Sequence, residues 1–220
     1  MKTTLTLCTT FFVLTIFGQT GQVKNLSDFL PKRYVIFETI NGDLNKDGLE
    51  DCVLIIKDTD KSRIIKNKYS GEFNRNRRGI VILFNKKDHY ELAVKNYDCF
   101  SSEQEDGGVY FAPELSVEID KSILYMHYNC GRYGFRRYTF RVQNFDFELT
   151  GYDQSSDKGP VTNSVTSINF ITKKNLKKIN VNENAEGGDE VFKETKKNIN
   201  INKLIKLSEI KNFDELDISY

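Results

Sequence analysis

Gly42-Asp43-Leu44-Asn45-Lys46-Asp47-Gly48-Leu49-Glu50-Asp51 leads without a break into Cys52-Val53-Leu54-Ile55-Ile56. Side-chain oxygens recur at Asp43, Asn45, Asp47 and Asp51, the first, third, fifth and ninth positions of a loop whose sixth position is Gly48. Alternate residues of a tightly curled loop point inward, and a hard divalent cation needs six or more oxygens at short range, so the pattern predicts calcium in a structural role. Gly48 supplies the backbone freedom of the turn, and the Leu49 carbonyl at position seven completes the ligand ring. An EF-hand loop closes with a bidentate glutamate at position twelve. Here that position is Leu54, inside the apolar run. This excludes a helix-loop-helix and leaves a nine-residue loop whose last ligand, Asp51, starts a β-strand. An acidic surface turn of the Asp-Gly kind would need no ion. Against that reading, Asp43, Asp47, Glu50 and Asp51 stand with only Lys46 and repel one another without a counter-ion.

Outward from the loop, strand and turn dominate. Residues 33–40 read as the strand entering it, and residues 52–57 as a near-continuous apolar strand leaving it, which implies burial on both faces. Residues 26–30 read as a short helical turn capped by Ser27 and stopped by Pro31. The polar, basic interval 58–78 reads as a long surface loop, and residues 79–84 as a second buried strand. After a turn at 85–88, Tyr90, Leu92 and Val94 alternate with Glu91, Ala93 and Lys95. Residues 96–108 read as a loop carrying Asp98, Glu103, Glu105 and Asp106. In residues 136–150, a two-residue turn at Gln143-Asn144 sets Val142 opposite Phe145, Phe140 opposite Phe147 and Tyr138 opposite Leu149 on one face. Arg141 then meets Asp146 and Thr139 meets Glu148 on the other. Such pairs contribute roughly 0.2 to 1 kcal/mol each, enough to fix register when one face is buried. The pairing assigns Arg141 to structure. Arg132, Arg136 and Arg137, in a run that otherwise resembles a basic-aromatic nucleic-acid patch, are left as candidates for binding an acidic group. From about residue 173 the composition shifts to Lys and Asn, with short strands expected at 168–172, 177–181 and 204–207 and a loose end. The expected fold is mainly β, an antiparallel sheet or meander with a single calcium-loop hairpin and few short helices.

The balance of Lys+Arg 32 against Asp+Glu 31 leaves a net charge of +1 and no reason to expect nucleic acid or an anionic membrane as the main partner. With 16 Phe, 11 Tyr, no Trp and 3 Pro, the apolar content suits a β-rich core. Met1-Lys2, the mostly apolar run 5–17 and Gly18-Gln19 read as a secretory signal peptide over residues 1–18. That makes 19–220 a single β-rich domain with a Lys/Asn-rich extension, beginning near Gln19 or Gln22, in a protein exported to the periplasm or secreted. The apolar run is too short to span a bilayer comfortably, and no other segment approaches the required length. Cys8 falls in the leader, so Cys52, Cys99 and Cys130 remain, an odd number. Cys52 reads as a small buried hydrophobe, while a Cys99–Cys130 bridge is one of two open options. His127 lies three residues before Cys130. Zinc wants four ligands and a cysteine nucleophile wants an oriented base, and the spacing supplies neither.

The stretch from Asp43 to Ile56 resembles the calcium loop and following strand of FG-GAP repeats, the integrin-type motif. In that motif the side chains at positions one, three, five and nine and the seventh carbonyl hold the ion, which corresponds here to Asp43, Asn45, Asp47, Asp51 and Leu49. More broadly, the chain is similar to a family of small exported bacterial proteins of undefined activity. That resemblance runs through the 42–48 loop with the strand before it, 79–94, Met126-His127-Tyr128 to Phe140, 147–153 and 166–172. Integrin-type propellers repeat the unit several times, and this sequence holds one copy, so a propeller and integrin-like adhesion do not transfer. Two functions follow. The preferred one is a calcium-stabilised exported module, binding or structural, that presents its sheet to an unknown ligand or protein partner. The alternative is a cell-envelope hydrolase that uses the carboxylates of residues 96–108 with His127, and no motif places a nucleophile beside a base for it.

Overall fold

A computed structural model describes residues 25–67, 71–104, 113–143 and 146–218. Strands make up 58% of it and helical turns 9%, with no helix of seven residues or more, which is the mainly β, antiparallel fold that the patterning predicts. The loop hairpin opens a four-stranded sheet made of β1 (Tyr34–Gly42) and β2 (Asp51–Asp58), and two further strands. After β3 (Ile64–Asn67) and β4 (Gly71–Asn74), a separate two-stranded ribbon, the chain returns as β5 (Arg78–Asn85) and β6 (Tyr90–Phe100) to give the order β1-β2-β5-β6. Seven more strands follow as a meander in which each pairs with the next. They are β7 (Glu114–Asp120), β8 (Ile123–Asn129), β9 (Gly134–Gln143), β10 (Asp146–Lys158), β11 (Val161–Asn169), β12 (Lys174–Asn180) and β13 (Phe192–Asn198).

The two sheets share one core. Val53, Ile55, Ile80 and Ile82 from the first sheet pack with Leu124, Met126, Tyr138, Phe140, Phe147 and Leu149 from the second. On the other face of β2 and β5, Cys52, Leu54, Ile56, Val81 and Leu83 are covered by Leu26, Phe29, Leu30, Tyr34, Tyr90 and Tyr97. Two apolar layers explain the unbroken hydrophobic runs in these strands, since neither face meets water. The turn Leu26–Phe29 is a 3-10 helix, and its cap is Asn25, whose side chain accepts from the Ser27 backbone N–H, rather than Ser27 as the sequence predicts.

The sequence reading is corrected in four further places. Residues 58–78 contain the β3–β4 ribbon, and Asn76 inside it is fully buried, its side chain meeting the backbone of Asp60 in both directions. The first five residues of the expected 96–108 loop belong to β6, where Cys99 and Phe100 are inaccessible and the Asn96 amide donates to the Leu207 and Ile210 carbonyls at 2.8 and 2.7 Å. In the β9–β10 hairpin the ladder runs from Gln143–Asp146 through Val142–Phe147, Arg141–Glu148 and Phe140–Leu149. That register is offset by two residues from the predicted one, with the turn at residues 144–145 outside the described residues. An even offset keeps every side chain on its predicted face, which a one-residue slip would have reversed. A bulge at Thr150 then brings Tyr152 opposite Tyr138, ring centroids 5.1 Å apart, in place of the Tyr138–Leu149 pair.

The fourth correction concerns the C-terminal stretch, which holds no strand at 204–207, while the end of the chain at 219–220 lies outside the described residues. After β13 the chain runs back across the core, burying Ile199, Ile201, Leu207, Ile210 and Phe213. It meets β10 through an isolated bridge between Glu148 and Lys206, the Leu149 N–H donating to the Ile205 carbonyl at 2.8 Å, and the Ser208 hydroxyl donating to Asp146. Phe213 stacks on Phe100 at 5.1 Å and stands edge-on to Tyr138 at 5.0 Å. β11 starts earlier than expected and ends at Asn169, with Phe170 in the core and Ile171 exposed. β13 is exposed at every residue and forms the outer edge of the meander. The predicted signal peptide lies outside the described residues.

Candidate functional site

Asp43, Asn45, Asp47 and Leu49 occupy one curl between β1 and β2. The Asp43 carboxylate accepts the N–H groups of Lys46 at 2.6 Å and Gly48 at 3.0 Å, the Asn45 side-chain oxygen accepts from Asp47 at 2.9 Å, and Asp47 accepts from Leu49 at 2.9 Å. Each oxygen is turned into the curl by an amide two to five residues ahead, the geometry an Asx turn imposes. Gly48 has φ +84 with open space where a Cβ would stand, and Lys46 also has positive φ, at 66. Leu44 is buried at the base and anchors the curl to the core.

Asp51 sits beneath the other donors. It is wholly buried, with one oxygen accepting from Leu44 at 2.8 Å and Asn45 at 3.3 Å and the other from the Asn85 N–H at 3.0 Å. Burial pushes its carboxyl above the ordinary range, and the three amides pull the other way. Asp51 thus ties the start of the curl to the end of β5. The Asn45 amide nitrogen turns toward Asp47 at 3.0 Å. All five predicted donors belong to this one loop. Among the described residues, no three His, Cys, Asp or Glu side chains converge as a metal-holding group. The donor set is nonetheless wholly hard oxygen, from a half-buried and an exposed carboxylate, an amide, a main-chain carbonyl and a buried carboxylate, and that chemistry suits calcium or magnesium rather than zinc.

The groups of the hydrolase reading are not brought together. Asp98 accepts the Tyr34 hydroxyl at 2.8 Å and Glu103 pairs with Lys57 at 2.7 Å, both against the first sheet, while Glu105 and Asp106 lie outside the described residues. His127 stands on the outer face of the second sheet, its ring 5.5 Å from that of Phe135. There it lines a depression of about 400 Å³ with Ser116, Glu118, Asp120, Tyr125 and Arg137. Arg137 pairs with Asp153 at 2.9 Å, and Asp153 in turn accepts the Ser167 hydroxyl at 2.7 Å. Sequence reasoning missed this polar row, although the every-second-residue spacing of Ser116, Glu118 and Asp120 and of Tyr125 and His127 is the alternation that marks a solvated sheet face. Of the three arginines expected to seek an acid, Arg136 finds Asp214 at 3.1 Å, Arg137 finds Asp153, and Arg132 lies over the Tyr133 ring at 5.5 Å.

Among the described residues Cys52, Cys99 and Cys130 are free, so the Cys99–Cys130 bridge is not formed. Burial raises the Cys52 thiol to about 11 and pushes Cys99 higher still, which removes both as nucleophiles.

Fold and loop together define a two-layer antiparallel β protein with one acidic, oxygen-lined curl at one end of its smaller sheet. Comparison with family models, with curated proteins and with solved structures returns no match. Among the described residues no helix is long and apolar enough to cross a membrane.

Proposed function

We propose that this chain is an exported binding module whose 43–51 loop takes calcium and whose larger sheet presents a polar outer face to a ligand. The observation that carries the reading is the inward set of Asp43, Asn45 and Asp47 oxygens above the buried Asp51 carboxylate. Asp43, Asn45, Asp47, Asp51 and the Leu49 carbonyl would hold the ion. Its charge would offset the repulsion among the loop carboxylates and stiffen the β1–β2 connection. The FG-GAP-like order of donors supports the same assignment. Export rests on the Lys2, 5–17 and Gly18 pattern at the N-terminus.

The ligand face is the outer side of β7 to β11, where the depression beside His127 continues into the Arg137–Asp153–Ser167 row. Rings and paired polar groups on a rigid sheet suit binding without chemistry. Calcium at a thousandfold excess over its dissociation constant should stabilise the fold by about 4 kcal/mol, read as a rise in melting temperature over chelator. Asp47→Ala should abolish that rise while melting normally in chelator. An unchanged melt of the wild type on adding calcium sinks the metal assignment.

A further inference from the structure

The larger sheet stops at β13, and the ladder that joins β13 to β12 shows which of its main-chain groups are left over. At one end of that ladder the Val181 N–H donates to the Val191 carbonyl at 2.7 Å, and at the other the Ile199 N–H donates to the Lys173 carbonyl at 2.9 Å. Facing residues of an antiparallel pair alternate between those that exchange hydrogen bonds and those that do not. Counting inward from both ends, Ile179 with Lys193, Lys177 with Thr195 and Asn175 with Lys197 are the bonded pairs. Phe192, Glu194, Lys196 and Asn198 therefore direct their N–H and C=O groups away from β12, and among the described residues no further strand takes them up.

The charge of this edge is lopsided. β12 and β13 carry Lys174, Lys177, Lys178, Lys193, Lys196 and Lys197 against a single acid, Glu194. Glu194 is shared by Lys178 at 3.6 Å and Lys196 at 2.9 Å, and the other lysines make no ion pair among the described residues. Successive side chains of a strand alternate between its faces, so Lys196 stands on one face of the edge and Lys193 and Lys197 on the other. Beside Lys193, on its face, Ile179, Val181 and Val191 are exposed.

A nucleic acid or a membrane laid on one face meets part of this charge and none of the open main-chain groups. An extended polypeptide alongside β13 meets both, because its own main chain supplies donors and acceptors while its side chains fall alternately on the two faces. We propose that the open edge of β13 takes up an acidic, extended segment of a partner protein as a further strand of the larger sheet. Its carboxylates lie beside Lys193, Lys196 and Lys197, and an apolar residue lies beside Val191. This site is separate from the 43–51 loop and from the outer face of β7 to β11, and it depends on neither.

The test is fluorescence anisotropy of a labelled, end-capped peptide of valine, threonine and glutamate, titrated with the full chain in excess chelator so that no ion in the loop contributes. A saturable complex at millimolar concentration or below, weakening as salt is raised, is expected. Amide exchange should slow on binding at Glu194 and Lys196, and more so than at Thr195, whose N–H the ladder already holds. Methylating the peptide's main-chain nitrogens keeps its charge and should weaken it roughly tenfold. Glu194 separates strand pairing from plain attraction. Glu194→Gln makes the edge more basic and should tighten the peptide, whereas Glu194→Pro makes it equally basic but deletes an outward N–H, and should weaken the peptide roughly tenfold. Should Glu194→Pro melt well below wild type, the methylated peptide and the exchange pattern decide. Absence of saturable binding, a methylated peptide that binds as well as its parent, a normally melting Glu194→Pro that binds no more weakly, or unslowed exchange at Glu194 and Lys196 overturns the proposal. An oligonucleotide or anionic vesicle that binds more tightly than the peptide, and equally to Glu194→Gln and Glu194→Pro, also overturns it by making the edge a polyanion surface. So does slowed exchange at those amides through self-association of the free chain, which would make the occupant a second copy.

Discussion

Asp51 shows how one side chain can serve a loop and a core together. Its two oxygens accept three backbone amides from Leu44, Asn45 and Asn85, in a position with no access to solvent. An amide in its place has one oxygen and one NH₂, so whichever way it turns, a donor faces a donor. Asp51→Asn should therefore cost about 1–3 kcal/mol in denaturant unfolding performed in chelator, where no ion contributes. Removing the buried charge acts in the opposite direction, and the one or two inverted contacts outweigh it because each amide is itself buried or half-buried. An unfolding midpoint at or above that of wild type would show that the desolvation of the carboxylate dominates.

At the level of elements, the buried strands were legible because their hydrophobic runs are continuous. Residues 52–57 and 79–84 could be nothing else in a chain with so few Pro, and both are strands buried on two faces. The hairpin was legible in sidedness but not in register. Val142 pairs equally well with Phe145 or Phe147 on apolar character alone, and the Thr150 bulge that sets Tyr152 opposite Tyr138 has no local sequence signal. The β3–β4 ribbon and the tail of β6 were illegible because short stretches mixing apolar and polar residues give no steady alternation, and the tail is held by tertiary contacts such as Asn96 to the C-terminal carbonyls. The oxygen-lined 43–51 loop was legible as a spacing of side-chain oxygens. Gly79 is the sharpest test of the element level. A Cβ there would stand 2.1 Å from the Tyr97 carbonyl oxygen, main chain that cannot give way without parting β5 from β6. Gly79→Ala should thus cost about 3 kcal/mol or more, at the upper end of overpacking effects, and speed amide exchange along both strands. A loss below about 1 kcal/mol would mean that the pair separates freely.

For the molecule as a whole, the C-terminal run holds the two sheets together. Phe213 is 1% exposed and touches the rings of Phe100, Tyr128, Tyr138 and Phe140. Those rings come from both sheets, so Phe213→Ala should remove about 3–5 kcal/mol from a single cooperative unfolding transition. Two separated transitions in that variant, one for each sheet, would instead show that each sheet folds without the other.

The meander ends on β13, a strand exposed at every residue whose outer side pairs with no other strand among the described residues. Such a strand is an open template on which a second molecule could stack, and Lys193, Lys196 and Lys197 stand along it. Their ammonium groups make an approaching copy of the same strand repel itself. The Lys-rich composition of this edge therefore acts as a safeguard against fibre growth.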